Sequence, residues 1–312
     1  MQSMASNVIV ILGTGGTIAG QAASATDNVG YKAGQLSVAS LVAAIPALAG
    51  LPLETEQVAQ LDSKDMDFAT WQRLAAAVDR HLARPEVGAV IITHGTDTLE
   101  ETAYFLQRVL APRKPVVMTA AMRPATALQA DGPQNLLDAV AVAACPEATG
   151  VSVVLAGQVH GADQVQKAHS YRIDGFCSRD EAVVAWVEEG RVRTVGAWPH
   201  SGEALGLNRI ARAAGAWPKV QILLNHASAD GSLVQAMQAV GTAGIVVAGT
   251  GNGTLSQGLE QALLDAQAQG VKVLRSTRCQ AGPVLDNGTG LASAGSLSPV
   301  KARVEMILQL LA

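Results

Sequence analysis

The chain has 312 residues, a formal net charge of −4 and a pI near 5.9. This length fits about two domains, and the acidic balance argues against nucleic-acid and membrane partners and for a small-molecule ligand. The three cysteines are odd in number and contain no C-x-x-C pair, which predicts reduced structural thiols. Because the N-terminus has neither a basic region nor a long apolar run, we expect no signal peptide, and therefore a cytoplasmic protein.

The first predicted element is a strand over residues 8–12 that runs into a glycine-rich segment, residues 13–20. An uninterrupted aliphatic run is typical of a strand buried on both faces, and the glycines allow a ligand to approach the backbone beyond it. The hydroxyl of Thr17 then lies at the edge of a sheet. The alternative is a phosphate-binding loop, although Ile18 stands where G-x-G-x-x-G requires glycine and no Gly-Lys-Ser/Thr follows.

The next segment, residues 20–34, is rich in alanine, serine and glycine and has Tyr31 near its end. A long segment of small residues directly after a candidate active-site strand is typical of a lid. We therefore predict a lid that carries a tyrosine.

A second buried strand enters a polar turn and then a helix over residues 90–101. In a doubly wound sheet, ligands bind beyond the carboxyl ends of the strands, where helix N-termini point their amides. Thr96 and Asp97 occupy that position, although an Asp-Thr pair before a helix is also a common N-cap. Lys167 has no acidic neighbour in sequence. It is either a solvated surface lysine or, if folded beside Asp97 and away from water, a proton acceptor.

The rest of the chain alternates short apolar runs with amphipathic stretches, which predicts an α/β fold with a mainly parallel, doubly wound sheet. The further predicted strands are residues 87–93, 115–120, 151–155, 220–225, 244–248 and 271–275. Helix starts are predicted by capping boxes at Thr98 and Thr254 and by Ser298 followed by proline. Because the pattern loosens after Glu188, we predict a larger N-terminal domain (1–195), a linker (196–217) and a smaller C-terminal parallel α/β domain (218–312).

Several of these motifs together resemble the bacterial L-asparaginase family. They are TGGTIAG at residues 14–20, HGTDTLEETAYF at 94–105, AMRP at 121–124, ADGP at 130–133 and GNG at 251–253. The resemblance extends to the last predicted helix, and it is specific because independent motifs recur in order along nearly the whole chain.

The resemblance implies hydrolysis of the side-chain amide of L-asparagine to L-aspartate and ammonia, with weaker L-glutamine hydrolysis allowed, and no metal or organic cofactor. Thr17 corresponds to the nucleophile and Tyr31 to the lid tyrosine that hydrogen-bonds to it. Thr96, Asp97 and Lys167 correspond to a triad that helps to activate the nucleophile or the water. How the family divides the work between its two threonines stays open.

The resemblance also implies the residues that contact substrate. The ammonium group would bind Asp97, and the carboxylate would bind Ser63 and nearby amides. The full implied set is Gly16, Asp62, Ser63, Gly95, Thr96, Asp97, Ala121, Met122 and Asn252. Asn252 resembles the residue by which one subunit completes another's site, which implies a homo-oligomer, usually a tetramer built from two intimate dimers.

Three features depart from the family pattern. The spacing from Thr17 to Tyr31 is one residue longer than in the best-known secreted members. Lys64 stands where many relatives carry Gln or Glu beside the substrate's amino group, and the segment after Arg278 leaves little room for an acidic loop that reaches a neighbouring subunit. His94 invites a catalytic interpretation, but the family gives it a structural role. Outside the family, the alternative is a non-catalytic amino-acid or nucleotide-binding α/β module.

Overall fold

A computed structural model describes residues 7–180, 183–199, 202–286, 288 and 290–312. Its contacts divide the chain into two compact units between Leu207 and Asn208. That division falls inside the predicted linker, of which residues 200 and 201 lie outside the described ranges, and the linker's own bounds stay a prediction. No helix in the described part of the chain is long and apolar enough to cross a bilayer.

The first unit contains ten strands and four α-helices among its described residues. The strands are β1 (Val8–Gly15), β2 (Leu53–Leu61), β3 (Val87–Thr93), β4 (Val116–Thr119), β5 (Val151–Leu155), β6 (Gln158–Gly161), β7 (Val165–Lys167), β8 (Phe176–Ser178), β9 (Ala185–Glu188) and β10 (Arg191–Thr194). The helices are α1 (Val38–Ala43), α2 (Phe68–Leu82), α3 (Leu99–Leu110) and α4 (Gly132–Ala143).

Eight of these strands form one mixed sheet in the order β10-β9-β6-β5-β4-β3-β1-β2. The pairs from β2 to β5 are parallel, and those from β5 to β10 are antiparallel. The predicted mainly parallel, doubly wound sheet is therefore confirmed, with an antiparallel extension on one side. Strands β7 and β8 form a separate antiparallel hairpin.

Burial of the sheet on both faces explains why its strands are uninterrupted aliphatic runs in the sequence. Ile9, Ile11 and Ile91 pack on one face against a cluster that includes residues of α1 and α4. Because successive strand residues point to opposite faces, Val10 and Leu12, which are fully buried, point to the other face. Both faces are thus covered, as expected for a parallel sheet.

The second unit is a smaller α/β domain with a four-stranded parallel sheet in the order β11-β12-β13-β14. Its strands are β11 (Val220–Leu224), β12 (Gly244–Gly249), β13 (Lys272–Thr277) and β14 (Ala292–Ser293), and its helices are α5 (Ser232–Ala239), α6 (Gln257–Ala268) and α7 (Pro299–Leu310). The predicted parallel C-terminal α/β domain is confirmed.

The three predicted helix caps have different outcomes. Ser298 caps α7 by accepting the Lys301 N–H, with Pro299 in the first turn, as predicted. Thr98 is the N-cap residue of α3 but makes no side-chain cap, because its hydroxyl donates to the Ser63 carbonyl. The predicted box at Thr254 is wrong: α6 begins at Gln257, and Thr254 pairs with Thr250 in a tight turn.

Candidate active site

Three neighbouring strand ends bring the candidate residues of the first unit together. β1 lies between β2 and β3 in the sheet, although β3 follows β2 in the chain. The connection from β2 to β3 therefore crosses β1, and such a change in strand order leaves a crevice at the carboxyl ends of the strands. Gly16 and Thr17 follow β1, Ser63 follows β2, and Gly95 follows β3. The strand ends approach closely, since a Cβ at Gly16, where φ is 80°, would collide with the Gly95 backbone.

Thr17 begins a short 3-10 turn and is almost fully buried, with 6% of its surface exposed. Its Oγ1 lies 2.7 Å from the phenol oxygen of Tyr31, a hydrogen-bonding distance in which either hydroxyl can donate. Gly20 makes room for this contact, because a Cβ there would lie 2.8 Å from Cδ2 of the Tyr31 ring. The pairing of nucleophile and lid tyrosine that the resemblance implies is therefore geometrically in place.

The predicted lid folds back against the segment that follows β4. Gln21 and Lys32 exchange two backbone hydrogen bonds of 2.9 Å at its base. Beyond that base, the Ala22 N–H donates to the Thr126 hydroxyl at 2.9 Å, and the Leu128 N–H donates to the Ala25 carbonyl at 3.1 Å. This conformation holds Tyr31 over Thr17.

Lys167 joins the second group of candidate residues. Its Nζ donates to Thr96 Oγ1 at 2.9 Å and to Asp97 Oδ1 at 2.6 Å. The side chain of Lys167 is 20% exposed and that of Asp97 is 52% exposed, so the carboxylate keeps a face open to solvent or a ligand. The ammonium group of Lys167 bridges a buried threonine and an aspartate, which is the placement that the second interpretation requires. Its role as a proton acceptor stays a prediction.

Ser63 connects the end of β2 to the turn that follows β3. Its hydroxyl accepts the Asp97 N–H at 3.1 Å, and a Cβ at Gly95 would collide with the same oxygen. Asp62 caps the short turn that carries Ser63, and its carboxylate forms a 2.9 Å ion pair with Lys64. Lys64 also pairs with Asp65 at 3.0 Å. The departure from the family at Lys64 thus places a cation between two carboxylates beside Ser63.

Ala121 and Met122 follow β4, the next strand in the sheet. Ala121 is fully buried and packs with Ile18 and Ala19, the two residues after Thr17. Met122 is nearly buried, and a Cβ at Gly175, in the turn after Lys167, would contact its Cε at 3.3 Å. Ala121 therefore adjoins the Thr17 turn, and Met122 adjoins the segment that follows Lys167.

Asn252 lies in the second unit, in the turn after β12. Its amide exchanges two hydrogen bonds with the backbone of Leu285, at 2.7 Å and 3.2 Å. The buried guanidinium of Arg275 donates to the carbonyls of both residues. Within its own chain, Asn252 therefore anchors the loop that contains Leu285.

His94 is fully buried at the end of β3, and its Nδ1 lies 2.7 Å from the Gly95 carbonyl. Burial lowers its pKa from 6.5 to about 4, so the ring is neutral at pH 7 and Nδ1 donates to that carbonyl. His94 makes no hydrogen bond to Thr17 or Lys167 among the contacts of the described residues. Its position agrees with the structural role that the resemblance implies.

Acidification is expected to remove the contribution of His94 to stability. Because the folded state holds the pKa below its unfolded value, this contribution is present above pH 6.5 and is lost as the pH falls towards 4. Between pH 7 and pH 4.5, the difference in unfolding free energy between wild type and His94→Asn should shrink by about 2 kcal/mol. Asparagine keeps a donor for the Gly95 carbonyl, and urea unfolding of both proteins at the two pH values measures the difference. A difference independent of pH would contradict the buried neutral imidazole.

Sequence reasoning missed two residues that shape this site. Thr126 anchors the lid, and Asp131 accepts hydrogen bonds from the N–H groups of Met122 and Arg123 at 2.9 Å. Asp131 belongs to the ADGP motif, but the motif by itself assigns it no role. No sequence signal singles out Thr126.

The protein has a two-domain α/β fold, with threonines and an aspartate at adjacent parallel-strand ends and with a tyrosine and a lysine in contact with them. This arrangement fits the class of amide hydrolases that use a hydroxyl nucleophile. The family model described as "Asparaginase, N-terminal" matches residues 8–199, and that described as "Glutaminase/Asparaginase C-terminal domain" matches residues 219–312. The chain therefore belongs to the asparaginase family, as its motifs predicted.

Individual relatives match along nearly the whole chain. It is 37% identical to the "Probable L-asparaginase periplasmic" of Haemophilus influenzae (97% of this chain, 88% of the relative). It is also 37% identical to the "Glutaminase-asparaginase" of Acinetobacter glutaminasificans (97% and 95%). A crystal structure of a "Probable Cytoplasmic L-asparaginase" from Campylobacter jejuni superposes with a TM-score of 0.92 at 38% identity, covering 97% of this chain and 95% of that one.

Proposed function

We propose that this protein hydrolyses the side-chain amide of L-asparagine to L-aspartate and ammonia, with Thr17 as the nucleophile. The observation that carries the proposal is the pairing of Thr17 with Tyr31 at the end of β1, beside the Thr96–Asp97–Lys167 cluster. A non-catalytic binding module needs no lysine bridging a threonine hydroxyl and a carboxylate. Membership of the asparaginase family argues for the enzyme on independent grounds.

The chemistry begins with attack of the Thr17 oxygen on the amide carbon. A threonine hydroxyl is a weak nucleophile at its own pKa, so a neighbouring group has to take its proton. Tyr31 is in contact with that hydroxyl, and Lys167 is in contact with the second threonine, Thr96. Collapse of the tetrahedral intermediate breaks the C–N bond, the leaving nitrogen takes up a proton to give ammonia, and water then hydrolyses the aspartyl ester on Thr17.

The oxyanion requires hydrogen-bond donors near the strand ends. The Asp97 N–H is already taken by the Ser63 hydroxyl. The amides of Gly95 and Thr96, at the turn before α3, are the donors that we propose for the oxyanion, and each is worth roughly 3 kcal/mol to the transition state.

The zwitterionic end of the substrate needs an anion and a set of donors. The half-exposed carboxylate of Asp97 is the partner that we propose for the ammonium group. Ser63 and the amides near Asp62 would bind the carboxylate. Gly16, Gly95, Ala121 and Met122 would line the walls around the amide.

Steady-state kinetics on L-asparagine and L-glutamine tests this proposal and its substrate preference. We expect ammonia from both amides and a higher kcat/KM for L-asparagine. One additional methylene is worth about 1–3 kcal/mol in a fitted pocket, which is roughly a 10- to 200-fold preference. A higher kcat/KM for L-glutamine would make the protein a glutaminase and contradict the proposed preference.

We further propose a cytoplasmic homo-oligomer, a tetramer of two intimate dimers in which Asn252 completes a neighbouring subunit's site. Its support is the likeness of the Gly251–Asn252–Gly253 turn to the family motif and the anchored position of that turn in the second unit. Relatives of this chain bear names from both compartments, "periplasmic" and "cytoplasmic". The proposed compartment follows the name of the Campylobacter jejuni protein, whose structure matches this chain with a TM-score of 0.92.

Subunit mixing is expected to restore activity between two inactive variants. Thr17→Ala and Asn252→Ala homo-oligomers should each be inactive or nearly so. After dissociation and random reassociation, about a quarter of the sites combine an intact Thr17 with an intact Asn252 from the neighbour. Mixed oligomers, verified by native mass spectrometry, should therefore release ammonia. Mixed oligomers without activity would show that each subunit builds its own site.

A further inference from the structure

Asp131 stands immediately before α4, and its carboxylate turns back onto the segment after β4. Its Oδ2 accepts the Met122 N–H and its Oδ1 accepts the Arg123 N–H, both at 2.9 Å. The amide of Asn135, one turn along α4, donates to the same carboxylate at 3.2 Å and to the Ala120 carbonyl at 2.9 Å. Two side chains at the start of α4 therefore make three hydrogen bonds to the backbone of residues 120–123.

This arrangement fixes the direction of a peptide group in the proposed substrate pocket. In a trans peptide the N–H and the preceding carbonyl point in opposite directions. Because the Met122 N–H points at Asp131, the Ala121 carbonyl points away from it. The Ala121 side chain packs against Ile18, and a Cβ at Gly132 would lie 2.8 Å from Ile18 Cγ1. The Asp131–Gly132 pair therefore also adjoins the turn that carries Thr17.

Arg123, whose N–H is the second one bound by Asp131, also contacts the segment after Lys167. The Arg123 guanidinium donates to the Tyr171 carbonyl at 2.7 Å and lies 4.0 Å from the centre of the Tyr171 ring. That segment is closed by the Ala168 and His169 N–H groups, which both donate to the Gly175 carbonyl. Asp131 thus contacts Arg123, and Arg123 contacts the turn that begins one residue after Lys167.

We infer that Asp131 is a positioning residue for amide hydrolysis: it fixes the Ala121–Met122 peptide between the Thr17 turn and the segment that follows Lys167. The inference rests on the proposed function. Hydrogen bonds from two N–H groups to one carboxylate are charge-assisted and directional. A displacement of about 1 Å in a group that positions substrate can cost about 100-fold in rate. Asp131 acts through this peptide group rather than through contact with a reacting atom.

The test replaces Asp131 with asparagine, which has the same shape but turns one acceptor into a donor that faces an N–H. The matched control is Asp138→Asn on the same helix, where the residue is 4% exposed and its carboxylate accepts from the Gln134 amide at 2.8 Å. Neither Met122 nor Arg123 is among the hydrogen-bond partners of Asp138 in the described residues.

For Asp131→Asn we expect kcat/KM for L-asparagine to fall about 10- to 100-fold and the Kd for L-aspartate to rise about tenfold. Asp138→Asn should keep both values within about twofold of wild type. The thermal midpoints of both variants show whether a lower kcat/KM comes from lost positioning or from lost stability of the fold. Calorimetric titration with L-aspartate measures binding to the proposed substrate pocket without turnover.

The inference is overturned if Asp131→Asn matches Asp138→Asn in kcat/KM and in L-aspartate affinity. Should Asp131→Asn not fold, Asp131→Glu serves instead, since it keeps a carboxylate at the helix N-terminus but moves it by one methylene. We expect that variant to keep the wild-type thermal midpoint and to lose kcat/KM; wild-type kinetics would overturn the inference equally. A folded wild type that releases no ammonia from L-asparagine would refute the proposed function itself.

Discussion

Replacement of Thr17 by alanine is expected to lower kcat for L-asparagine by at least about 10³-fold, because the attacking oxygen is removed. The change should be mild for the fold. Thr17 loses one hydrogen bond, to Tyr31, and a bond of this kind is worth about 1 kcal/mol of unfolding free energy. Ammonia release and urea unfolding of the same preparation measure the two effects.

Two further variants show whether the effect belongs to the hydroxyl. Thr17→Ser keeps the attacking oxygen and should retain a measurable fraction of activity. Thr14→Val removes a neighbouring buried hydroxyl that donates to the Thr93 carbonyl at 2.9 Å, so it should lower stability and leave kcat near the wild-type value. Thr17→Ala with wild-type kcat would assign the nucleophile to another residue, of which Thr96 is the first candidate.

The second large effect is expected at Lys167. In Lys167→Met, kcat should fall about 10²- to 10⁴-fold while KM changes little, since the lysine is assigned to proton transfer rather than to substrate recognition. The variant leaves Asp97 without its 2.6 Å partner and Thr96 without its 2.9 Å donor. Steady-state kinetics on L-asparagine measures kcat and KM separately, and a titration with L-aspartate measures binding without turnover.

Lys167→Arg tests whether Lys167 acts by transferring a proton or only through its positive charge. Arginine keeps a cation beside Asp97 but does not deprotonate in proteins, so it should stabilise the cluster without restoring kcat. Lys114→Met is a matched control, because Lys114 donates to the carbonyls of Leu82 and Arg84 and makes no hydrogen bond to a candidate residue in the described part of the chain. If Lys167→Arg turned over at the wild-type rate, the lysine would act through its charge alone and the proton acceptor would lie elsewhere.

Sequence patterns located the buried strands well, because their signal is local. The predicted strands 87–93 and 151–155 coincide with β3 and β5, and the predicted first strand lies within β1. β2 was not predicted. It lies at the edge of the sheet and is half-exposed along most of its length, so it lacks the aliphatic run that marks its neighbours. β9 and β10 of the antiparallel extension were also not predicted. They are likewise partly exposed and have only four residues each.

The candidate residues could be proposed from the sequence one by one, but their contacts with one another could not. Glycines and polar residues after buried strands indicated Thr17, Thr96 and Asp97, since strand ends in parallel sheets are where ligands bind. The contact of Lys167 with Asp97 spans 70 residues of sequence and depends on the β7–β8 hairpin, which no local pattern signals. The role of Asp131 is hidden in the same way, because its partners lie on a different loop.

The wrong prediction at Thr254 has an identifiable cause. Thr254 is followed three residues later by Gln257, which satisfies the capping-box pattern. In the structure, Thr250 and Thr254 form a closed turn with reciprocal backbone bonds of 2.9 Å and 2.7 Å. A turn of this kind competes with the helix for the threonine, so the helix begins after Ser256.

We propose that this chain is a threonine-dependent asparaginase. The most direct test is simultaneous measurement of ammonia and L-aspartate from purified wild type and Thr17→Ala incubated with L-asparagine. We predict that the wild type releases both products in equal amounts and that folded Thr17→Ala releases neither above the blank. No ammonia from a folded wild type, or equal release by the two proteins, would contradict the account.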